Sequence, residues 1–359
     1  MPPVVLIAPA AFKGTLGPRQ VAEAIASGVR RALPGASVLE CPVADGGNGL
    51  LDVVLPAGAL RERLEVTGPI GDRVSAELGW IDGETAIIES ASACGLALVE
   101  PEDRDPLRTT TRGVGELIWT AADRGAHTIV VGLGGTATVD GGTGAARGLG
   151  WTFENAGGEP LPDGGGSLAD LASFAPGWGL SARVVALADV ATPLIGPNGA
   201  APVFGPQKGA RPEEIPQLVA GLTRLAELWS QAGRPELGTM PMGGAAGGLA
   251  AGLVFFARAE LASGADWVLE RAGFDAALAK ADLVITAEGV FDRTSLVGKA
   301  PGEVVRRAQA AKKKVAVIAG KVESMIGVQA VGGDGDGRIL DGHALARMAE
   351  QVAREALHI

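Results

Sequence analysis

Three glycine-rich loops are the segments of this 359-residue chain that are best suited to chemistry. The longest belongs to the run VVGLGGTATVDGGTGAARGLG at 130–150, where a predicted apolar strand leads into a Gly/Thr loop with one carboxylate, Asp140. Similar loops occur at 44–49 (ADGGNG) and at 241–248 (PMGGAAGG). Glycine loses more conformational freedom on folding than any other residue, so three such loops need a reason. Because loops of this type present backbone N–H groups, they predict the binding of an anion such as phosphate.

Charged side chains that could act on a phosphate follow predicted strands at several places. Lys13 lies after the first strand in FKGT, which is not a Walker A loop but still places an ammonium group where a strand meets a helix. Asp45 in ADGGNG and Asp189 in ALADVATP each follow a buried-type strand, and Glu288 and Asp292 flank a glycine turn in AEGVFD. Carboxylates at such positions are suited to holding Mg²⁺ or to accepting a hydroxyl proton in phosphoryl transfer.

A tight loop at 204–209, FGPQKG, adds an amide and an ammonium group, Gln207 and Lys208. All of these residues also have plainer structural explanations. An Asp before two glycines commonly forms a turn, a loop lysine is commonly exposed, and acids near a helix start commonly cap it. Their shared position after strands favours function, because ligands of open α/β sheets bind beyond the carboxyl ends of the strands.

The run GLGGTA at 132–137 also fits the G-x-G-x-x-G/A pattern of dinucleotide-binding proteins, with Glu154 following 22 residues after Gly132. Gly141 and Gly142 disfavour a long helix directly after this loop, and no clear strand ends near Glu154. An NAD-dependent dehydrogenase is therefore the weaker alternative. None of the three histidines is placed for a nucleophilic triad, and no G-x-S-x-G elbow occurs.

Composition narrows the class of protein further. The formal net charge of −10 and the lack of a basic stripe predict that the chain does not bind nucleic acid. No run of about 18 uncharged apolar residues and no basic N-terminal region occurs, which predicts no membrane span, no signal peptide and a cytoplasmic protein. Cys41 and Cys94 are too few for a disulfide framework and lie in apolar surroundings, so they predict inert buried thiols.

The order of predicted elements points to an α/β fold with two domains. Short Val/Ile-rich runs alternate with helical patterns at both chain ends, which predicts a doubly wound parallel sheet of the flavodoxin or Rossmann type. Residues 61–99 instead give strands separated by turn signals, which predicts an antiparallel stretch in a different layer. We therefore expect one domain from 1–60 plus 281–359, and an inserted α/β domain with a mixed sheet at 61–280.

Taken together, the motifs resemble those of the type I class of the bacterial glycerate kinase family, and the match is spread over nearly the whole chain. It rests on the order and spacing of eight segments: PAAFKGTL, PVADGGNG, ESASACGL, RDPLRTTTRGVGELI, GLGGTATVDGGTGAARGLG, ADVATPLIGPNGAAPVFGPQKGA, PMGGAAGGLAAGL and ADLVITAEGVFDRTSLVGKAPGEV. The resemblance implies transfer of a phosphoryl group from ATP, with Mg²⁺, to a hydroxyl of D-glycerate. It also implies a two-domain α/β fold with the site in the cleft between the domains.

With this resemblance, the motifs give a set of candidate site residues. The catalytic candidates neutralise charge or accept the hydroxyl proton: Lys13, Asp45, Asp189 and Lys208. The candidates for binding ATP lie mainly in the glycine-rich loops: Gly46, Gly47, Gly134, Gly135, Thr136, Gln207 and Glu288. The candidates for binding Mg²⁺ are carboxylates: Asp189, Glu288 and Asp292. We expect 2-phosphoglycerate rather than 3-phosphoglycerate as the product, and a monomer or homodimer.

The chain departs from the family pattern at several positions near these motifs. The departures replace polar or charged family residues with smaller or apolar ones, or change one polar residue for another: Ala10, Ala11, Asn48, Leu50, Val139 and Val290. They give a second hypothesis, in which the chain is a divergent relative that binds a small ligand without glycerate kinase activity.

Overall fold

The computed structural model describes residues 2–12, 15–293, 295–296, 298–322, 328–332 and 341–357. These residues form thirteen strands and twelve α-helices. The strands are β1 (Val4–Ile7), β2 (Ser37–Glu40), β3 (Arg61–Thr67), β4 (Arg73–Trp80), β5 (Thr85–Glu89), β6 (Thr128–Gly132), β7 (Thr152–Asn155), β8 (Leu171–Ala175), β9 (Arg183–Ala188), β10 (Glu260–Ser263), β11 (Leu283–Phe291), β12 (Lys314–Val322) and β13 (Gln329–Gly332). The helices are α1 (Pro18–Ala32), α2 (Leu50–Val54), α3 (Ser90–Cys94), α4 (Arg112–Asp123), α5 (Thr143–Gly148), α6 (Ala200–Phe204), α7 (Ile215–Gln231), α8 (Leu249–Phe256), α9 (Gly264–Arg271), α10 (Phe274–Lys280), α11 (Ala300–Ala310) and α12 (Gly342–Leu357).

The chain divides into two compact units. Unit 1 consists of residues 1–45, 52–54 and 263–359, and unit 2 consists of residues 46–51 and 55–262. The chain ends thus share one unit, as the sequence predicted for the fold class. Our domain boundaries at 60/61 and 280/281 stay a prediction. In the structure α9 and α10 pack within unit 1.

Unit 1 is built on a five-stranded sheet in the order β13-β12-β11-β1-β2. All four neighbouring pairs are parallel. Alternate side chains of β1 face opposite ways: Val5 and Ile7 pack with α1 and α12, whereas Leu6 packs with α9, α10 and α11. Helices therefore cover both faces, and the doubly wound parallel sheet that the sequence predicted is confirmed.

Both covering layers follow from the helix sequences. In α1 the buried residues recur at the spacing of one helical face, for example Val21, Ile25 and Val29, while the charged residues lie on the other face. Gly28 of α1 lets α12 approach closely, because a Cβ there would lie 2.0 Å from the carbonyl oxygen of Ala346. The first and last helices of the chain therefore lie side by side on the same face of the sheet.

Unit 2 is built on a six-stranded mixed sheet in the order β10-β9-β6-β5-β4-β3. The pairs β3–β4 and β4–β5 are antiparallel, whereas β5–β6 and β6–β9 are parallel. The mixed sheet is confirmed. The antiparallel stretch does not form a different layer, however, because β5 pairs with β6 and joins both stretches into one sheet.

A separate hairpin in unit 2 decides against the dinucleotide alternative. Glu154 lies in β7, which pairs antiparallel with β8 in a two-stranded sheet of its own. The acid of a dinucleotide site follows the second strand of a βαβ unit, which would lie in the same parallel sheet as β6. Here the helix after the loop, α5, has only six residues, and β6 has β5 and β9 as its parallel neighbours.

No helix in the described part of the chain is long and apolar enough to cross a membrane.

Candidate active site

In unit 1, the segments that follow β1 and β2 meet beside β11 at the carboxyl edge of the parallel sheet. The loop after β1 is tied to β11, because the N–H of Ala10 donates to the carbonyl of Ala287 (2.8 Å). It is also tied to the segment after β2, because the N–H of Val43 donates to the carbonyl of Pro9 (2.9 Å). This edge includes the boundary between β1 and β11, where the strand order reverses direction, and such a switch point is where open α/β sheets bind ligands.

Glu288 is the most perturbed acid at this edge. Its side chain is only 8% exposed, and burial raises the pKa of its carboxyl from 4.5 to about 7. A hydrogen bond from Ser295 and the charge of Lys299 oppose that rise, whereas the negative charges of Asp45 and Asp292 add to it. Among the described residues, nothing donates a hydrogen bond to the Oε1 atom of Glu288. An acceptor that is buried and unsatisfied is costly, so this oxygen is suited to an incoming cation or donor.

The turn after β11 has a fixed shape. The N–H of Asp292 donates to Oγ of Ser295, and the N–H of Ser295 donates to Oδ1 of Asp292, both at 3.2 Å. Lys299 is the N-cap residue of α11, which begins one residue later. These two hydrogen bonds hold Asp292 against Ser295 on the segment that follows β11.

The donor set at this edge fits Mg²⁺. The described residues contain no group of three or more His, Cys, Asp or Glu side chains that is already arranged for a metal. Mg²⁺ in nucleotide sites, however, is commonly held by only one or two protein carboxylates, with phosphates and water as the other ligands. The free Oε1 of Glu288 and the carboxylate of Asp292 are oxygen ligands of that kind, and a cation would relieve the repulsion among the three acids.

In unit 2, the Gly/Thr loop after β6 is paired with the end of α3. The N–H of Leu96 donates to the carbonyl of Gly135 (2.7 Å), and the N–H of Ala137 donates to the carbonyl of Cys94 (2.8 Å). Gly135 is exposed and has a φ of +65°, which favours glycine. The loop thus has one face held by residues 94–96 and presents Gly135 at the surface.

Lys208 lies beneath this loop. Its side chain is buried, with the residue 3% exposed, and its Nζ donates to Oγ1 of Thr136 (3.0 Å) and to the carbonyl of Thr138 (2.6 Å). Burial lowers the pKa of Lys208 from 10.5 to about 8, although the negative charge of Asp140 acts in the opposite direction. The sequence suggested a lysine that meets phosphate from a surface loop, whereas the ammonium group lies inside unit 2.

Asp140 fixes the far end of the same loop. Its carboxylate is fully buried and accepts hydrogen bonds from the N–H and Oγ1 of Thr111 (both 2.8 Å) and from the N–H groups of Gly142 (3.0 Å) and Gly144 (3.2 Å). Burial raises the pKa of Asp140, and these four hydrogen bonds oppose the rise. This carboxylate therefore joins the start of α4 to the turn that begins α5.

Close packing explains part of the glycine content of the predicted phosphate loops. A Cβ on Gly132 would lie 2.1 Å from the carbonyl oxygen of Gly46, and one on Gly134 would lie 3.0 Å from Cα of Gly47. These contacts need glycine even when no ligand is present. Gln207 is exposed, one residue before the buried Lys208.

The predicted site residues fall into two groups. Unit 1 contains three acids that influence one another: Asp45, Glu288 and Asp292. Unit 2 contains the glycine-rich and lysine candidates and the acid that follows β9: Gly46, Gly47, Gly134, Gly135, Thr136, Asp189, Gln207 and Lys208. Lys13 lies outside the described residues.

The network beneath the Gly/Thr loop was not predicted from the sequence, which gives Asp140 no partner. The available signal was the coincidence of a carboxylate inside an apolar Gly/Thr loop with a run of three threonines at 109–111. A buried carboxylate needs several donors, and hydroxyl-bearing residues are ready suppliers.

Comparison with known proteins gives the family. The model of the glycerate kinase family matches residues 5–357. Glycerate 2-kinase of Escherichia coli K12 is 42% identical over 332 residues, which cover 90% of this chain and 87% of that protein. Glycerate kinase of Bacillus subtilis 168 is 42% identical over 325 residues, which cover 89% of this chain and 85% of that protein.

A crystal structure from Salmonella typhimurium LT2, which bears the provisional name glycerate kinase 2, has the same fold. It superposes with a TM-score of 0.83 at 37% identity and covers 100% of this chain and 99% of that one. Since the family model spans residues 5–357 and relatives 42% identical match about nine-tenths of the chain, the chain belongs to the glycerate kinase family.

Proposed function

We propose that the chain transfers a phosphoryl group from ATP to a hydroxyl group of D-glycerate. The observation that carries the proposal is the match to named glycerate kinases along about nine-tenths of the chain. The name of the Escherichia coli relative, glycerate 2-kinase, favours 2-phosphoglycerate over 3-phosphoglycerate as the product. The departures at Ala10, Ala11 and Val290 keep open the alternative of ligand binding without turnover, which the assay below also tests.

The acids of unit 1 are proposed to serve the metal. Glu288 and Asp292 would hold Mg²⁺ in unit 1. Asp189, which follows β9 in unit 2, stays a predicted ligand. When bound, Mg²⁺ would offset negative charge on the triphosphate. The protein's own part is to keep Glu288 buried, with one oxygen free, on a strand whose backbone is fixed by β12 on one side and by Ala10 on the other.

The loops of unit 2 are proposed to hold ATP. Gly134, Gly135 and Thr136 would offer backbone N–H groups to phosphate oxygens, and the exposed amide of Gln207 would add a donor. Gly46 and Gly47 would contribute through the close packing that shapes the loop. This arrangement would act by position and fixed dipoles, which are the main contributions in phosphoryl transfer.

An acid is proposed to orient the acceptor hydroxyl and take its proton. Asp45 and Asp189 are the candidates, because each follows a strand at the carboxyl edge of its own sheet and each is half-buried. Lys13 would neutralise charge on the transferring group. A monomer or homodimer and a cytoplasmic location stay predictions.

The direct test is an ADP-release assay with ATP, Mg²⁺ and D-glycerate, extended to a panel of hydroxy acids and polyols. Proton-coupled ³¹P NMR of the product separates the isomers, because phosphate on C2 couples to one proton and phosphate on C3 couples to two. Asp189→Asn is expected to lower kcat by about 10²–10⁴ with the fold intact. Asp123→Asn, an exposed acid at the end of α4, is the matched control.

Three outcomes would change the proposal. Near-normal turnover of Asp189→Asn would remove Asp189 from the mechanism. A phosphorus signal split by two protons would replace the 2-hydroxyl by the 3-hydroxyl. If no compound of the panel stimulates ADP release although the chain still binds ATP in a titration, the ligand-binding alternative would be favoured.

A further inference from the structure

Lys208 is placed to shape the Gly/Thr loop rather than to touch a ligand. It is the single lysine of residues 46–262, so no other ammonium group of unit 2 can take its place. Its Nζ donates two hydrogen bonds, one to Oγ1 of Thr136 and one to the carbonyl of Thr138. Hydrogen bonds from a charged donor are about twice as strong as neutral ones, and here they connect two residues of one loop strand.

Other hydrogen bonds hold the rest of the loop and its middle residue, Ala137, whose carbonyl accepts from the hydroxyl of Thr109 (2.9 Å). Upstream, the loop is held by residues 94–96, whose backbone pairs with Gly135 and Ala137. Downstream, it is held by Asp140, whose four hydrogen bonds fix the turn at 142–144. In the described part of the chain, Lys208 is the only side chain that bonds both Thr136 and Thr138.

A role in direct charge neutralisation fits these contacts poorly. A lysine that meets the transferring phosphoryl group needs its ammonium group at the surface of the site, whereas residue 208 is 3% exposed. The negative charge that acts on it is an internal one, that of Asp140. Gly135, by contrast, is exposed on the same loop and is free to face a ligand.

We infer that Lys208 is a positioning residue, which holds Thr136 and Thr138 from inside so that the exposed backbone at Gly135 faces the phosphates of ATP. The inference rests on the proposed function for the identity of the ligand. The shape of the loop without any ligand does not depend on that function, so the two are tested separately.

Hydrogen exchange of the ligand-free chain tests the shape. Lys208→Met removes the ammonium group and keeps the length of the side chain. It is expected to speed amide exchange at 134–138 by about tenfold, because two charge-assisted hydrogen bonds are lost. Lys280→Met, an exposed lysine in the last turn of α10, is the matched control. Unchanged exchange at 134–138 would overturn the inference.

Kinetics test the consequence for ATP. A residue that orders the binding loop is expected to raise KM for ATP about tenfold when removed, with kcat lowered about threefold or less. A residue that touches the transferring group would instead lower kcat and kcat/KM together. That second pattern in Lys208→Met would overturn the inference.

A double-mutant cycle with Thr136→Val shows whether Lys208 acts through the loop. If it does, the fold-increase in KM caused by Lys208→Met should be at least about threefold smaller in the Thr136→Val chain than in the wild-type chain. Thr136→Ser, which keeps the hydroxyl, should recover most of the loss seen in Thr136→Val. If the change in KM of the double variant equals the product of the two single changes within about twofold, Lys208 acts independently of Thr136 and the inference fails.

The outcomes separate this inference from the proposed function. If the wild-type chain does not turn over but Lys208→Met loosens residues 134–138, the proposed function fails and the positioning role stands. If the wild-type chain turns over and the cycle is additive, the proposed function stands and the positioning role fails. Should Lys208→Met not fold, Thr136→Val and Thr136→Ser alone still decide whether the hydroxyl that Lys208 contacts controls exchange at 134–138.

Discussion

The molecule contains two buried charged clusters, and they differ in how well their polar atoms are satisfied. In unit 2, the carboxylate of Asp140 accepts four hydrogen bonds and the ammonium group of Lys208 donates two. In unit 1, Glu288 keeps one carboxylate oxygen without a partner among the described residues and is repelled by two further acids. Both oxygens of the Asp140 carboxylate thus have donors from the chain, whereas Oε1 of Glu288 has none among the described residues.

This difference teaches how to assign roles to buried charges. A buried charge with all its partners supplied by the chain is a structural element, because any change leaves donors or acceptors orphaned. A buried charge that lacks a hydrogen-bond or ion-pair partner lowers the stability of the fold. Such a group commonly belongs to a functional site, where a ligand or a metal ion supplies the partner. The contrast predicts that the two clusters respond in opposite ways to the same kind of substitution.

The largest expected effect is on turnover in unit 1. Glu288→Gln keeps the shape of the side chain but removes the negative charge proposed to hold the metal. We expect kcat to fall by about 10²–10³ at saturating ATP and Mg²⁺, with the chain fully folded. Glu270→Gln, an exposed acid on α9, is the control. Equal kcat for Glu288→Gln and wild type would remove the distinction between the clusters.

The next effect is on stability in unit 2. Asp140→Asn replaces one acceptor oxygen by an amide that donates, and so leaves N–H groups of the loop without an acceptor. Urea unfolding is expected to give a loss of about 2–4 kcal/mol. The exposed Asp123→Asn should change stability by no more than about 0.5 kcal/mol. A loss as small as that of the control would mean that the network is not a structural element.

A smaller effect is expected in the pH dependence of stability. The pKa of Glu288 is raised to about 7, so the folded chain binds this proton more tightly than the unfolded chain does. That contribution is fully present below pH 4.5 and is lost as the pH rises to about 7. Compared with Glu288→Gln, the wild-type chain should therefore lose about 2–3 kcal/mol between pH 4.5 and pH 8. Parallel stability curves for the two chains would contradict the raised pKa.

The smallest expected effect is on thiol chemistry. Burial raises the pKa of Cys41 to about 11, and it raises the pKa of Cys94 further, with help from the charge of Asp140. Thiolate is the reactive form, so both residues should resist labelling by iodoacetamide at pH 8 in the folded chain. Mass spectrometry before and after addition of urea checks this. Rapid labelling of Cys94 in the folded chain would show that the network beneath the Gly/Thr loop opens readily.

Much of the fold could be predicted from local patterns. The sequence predicts β1, β6 and β9 from short Val/Ile runs and α1 from its amphipathic spacing. In each case the hydrophobic period and the flanking loop residues indicate the same type of element. The hairpin of β7 and β8 was not predicted. Its strands are four and five residues long, and the 15 residues between them, at 156–170, are rich in glycine and proline, so the pairing is visible only in three dimensions.

The candidate site was less predictable than the fold. The sequence predicts Glu288 and Asp292 on either side of a glycine turn after a strand. That turn is wrong, because β11 continues to Phe291 and Glu288 lies within it, where the charges of Asp45 and Asp292 act on it. The sequence gives no sign that the lysine of FGPQKG turns inward, because a Lys–Gly pair in a loop is typical of an exposed turn. The direction of Lys208 depends on acceptors about 70 residues away in the chain, at Thr136 and Thr138. Contacts of that range cannot be read from local composition.

The pairing of β1 with β11 has a consequence for how the chain is made. The hydroxyl of Thr286 donates to the carbonyl of Ala8 across 278 residues of sequence. A ribosome that adds roughly 5–20 residues per second therefore delivers β11 some tens of seconds after β1. During that interval the edge of β1 that later pairs with β11 is open and can pair wrongly. Most residues of unit 2 are synthesised in the same interval. The part of the protein that is translated first is thus among the last to finish folding.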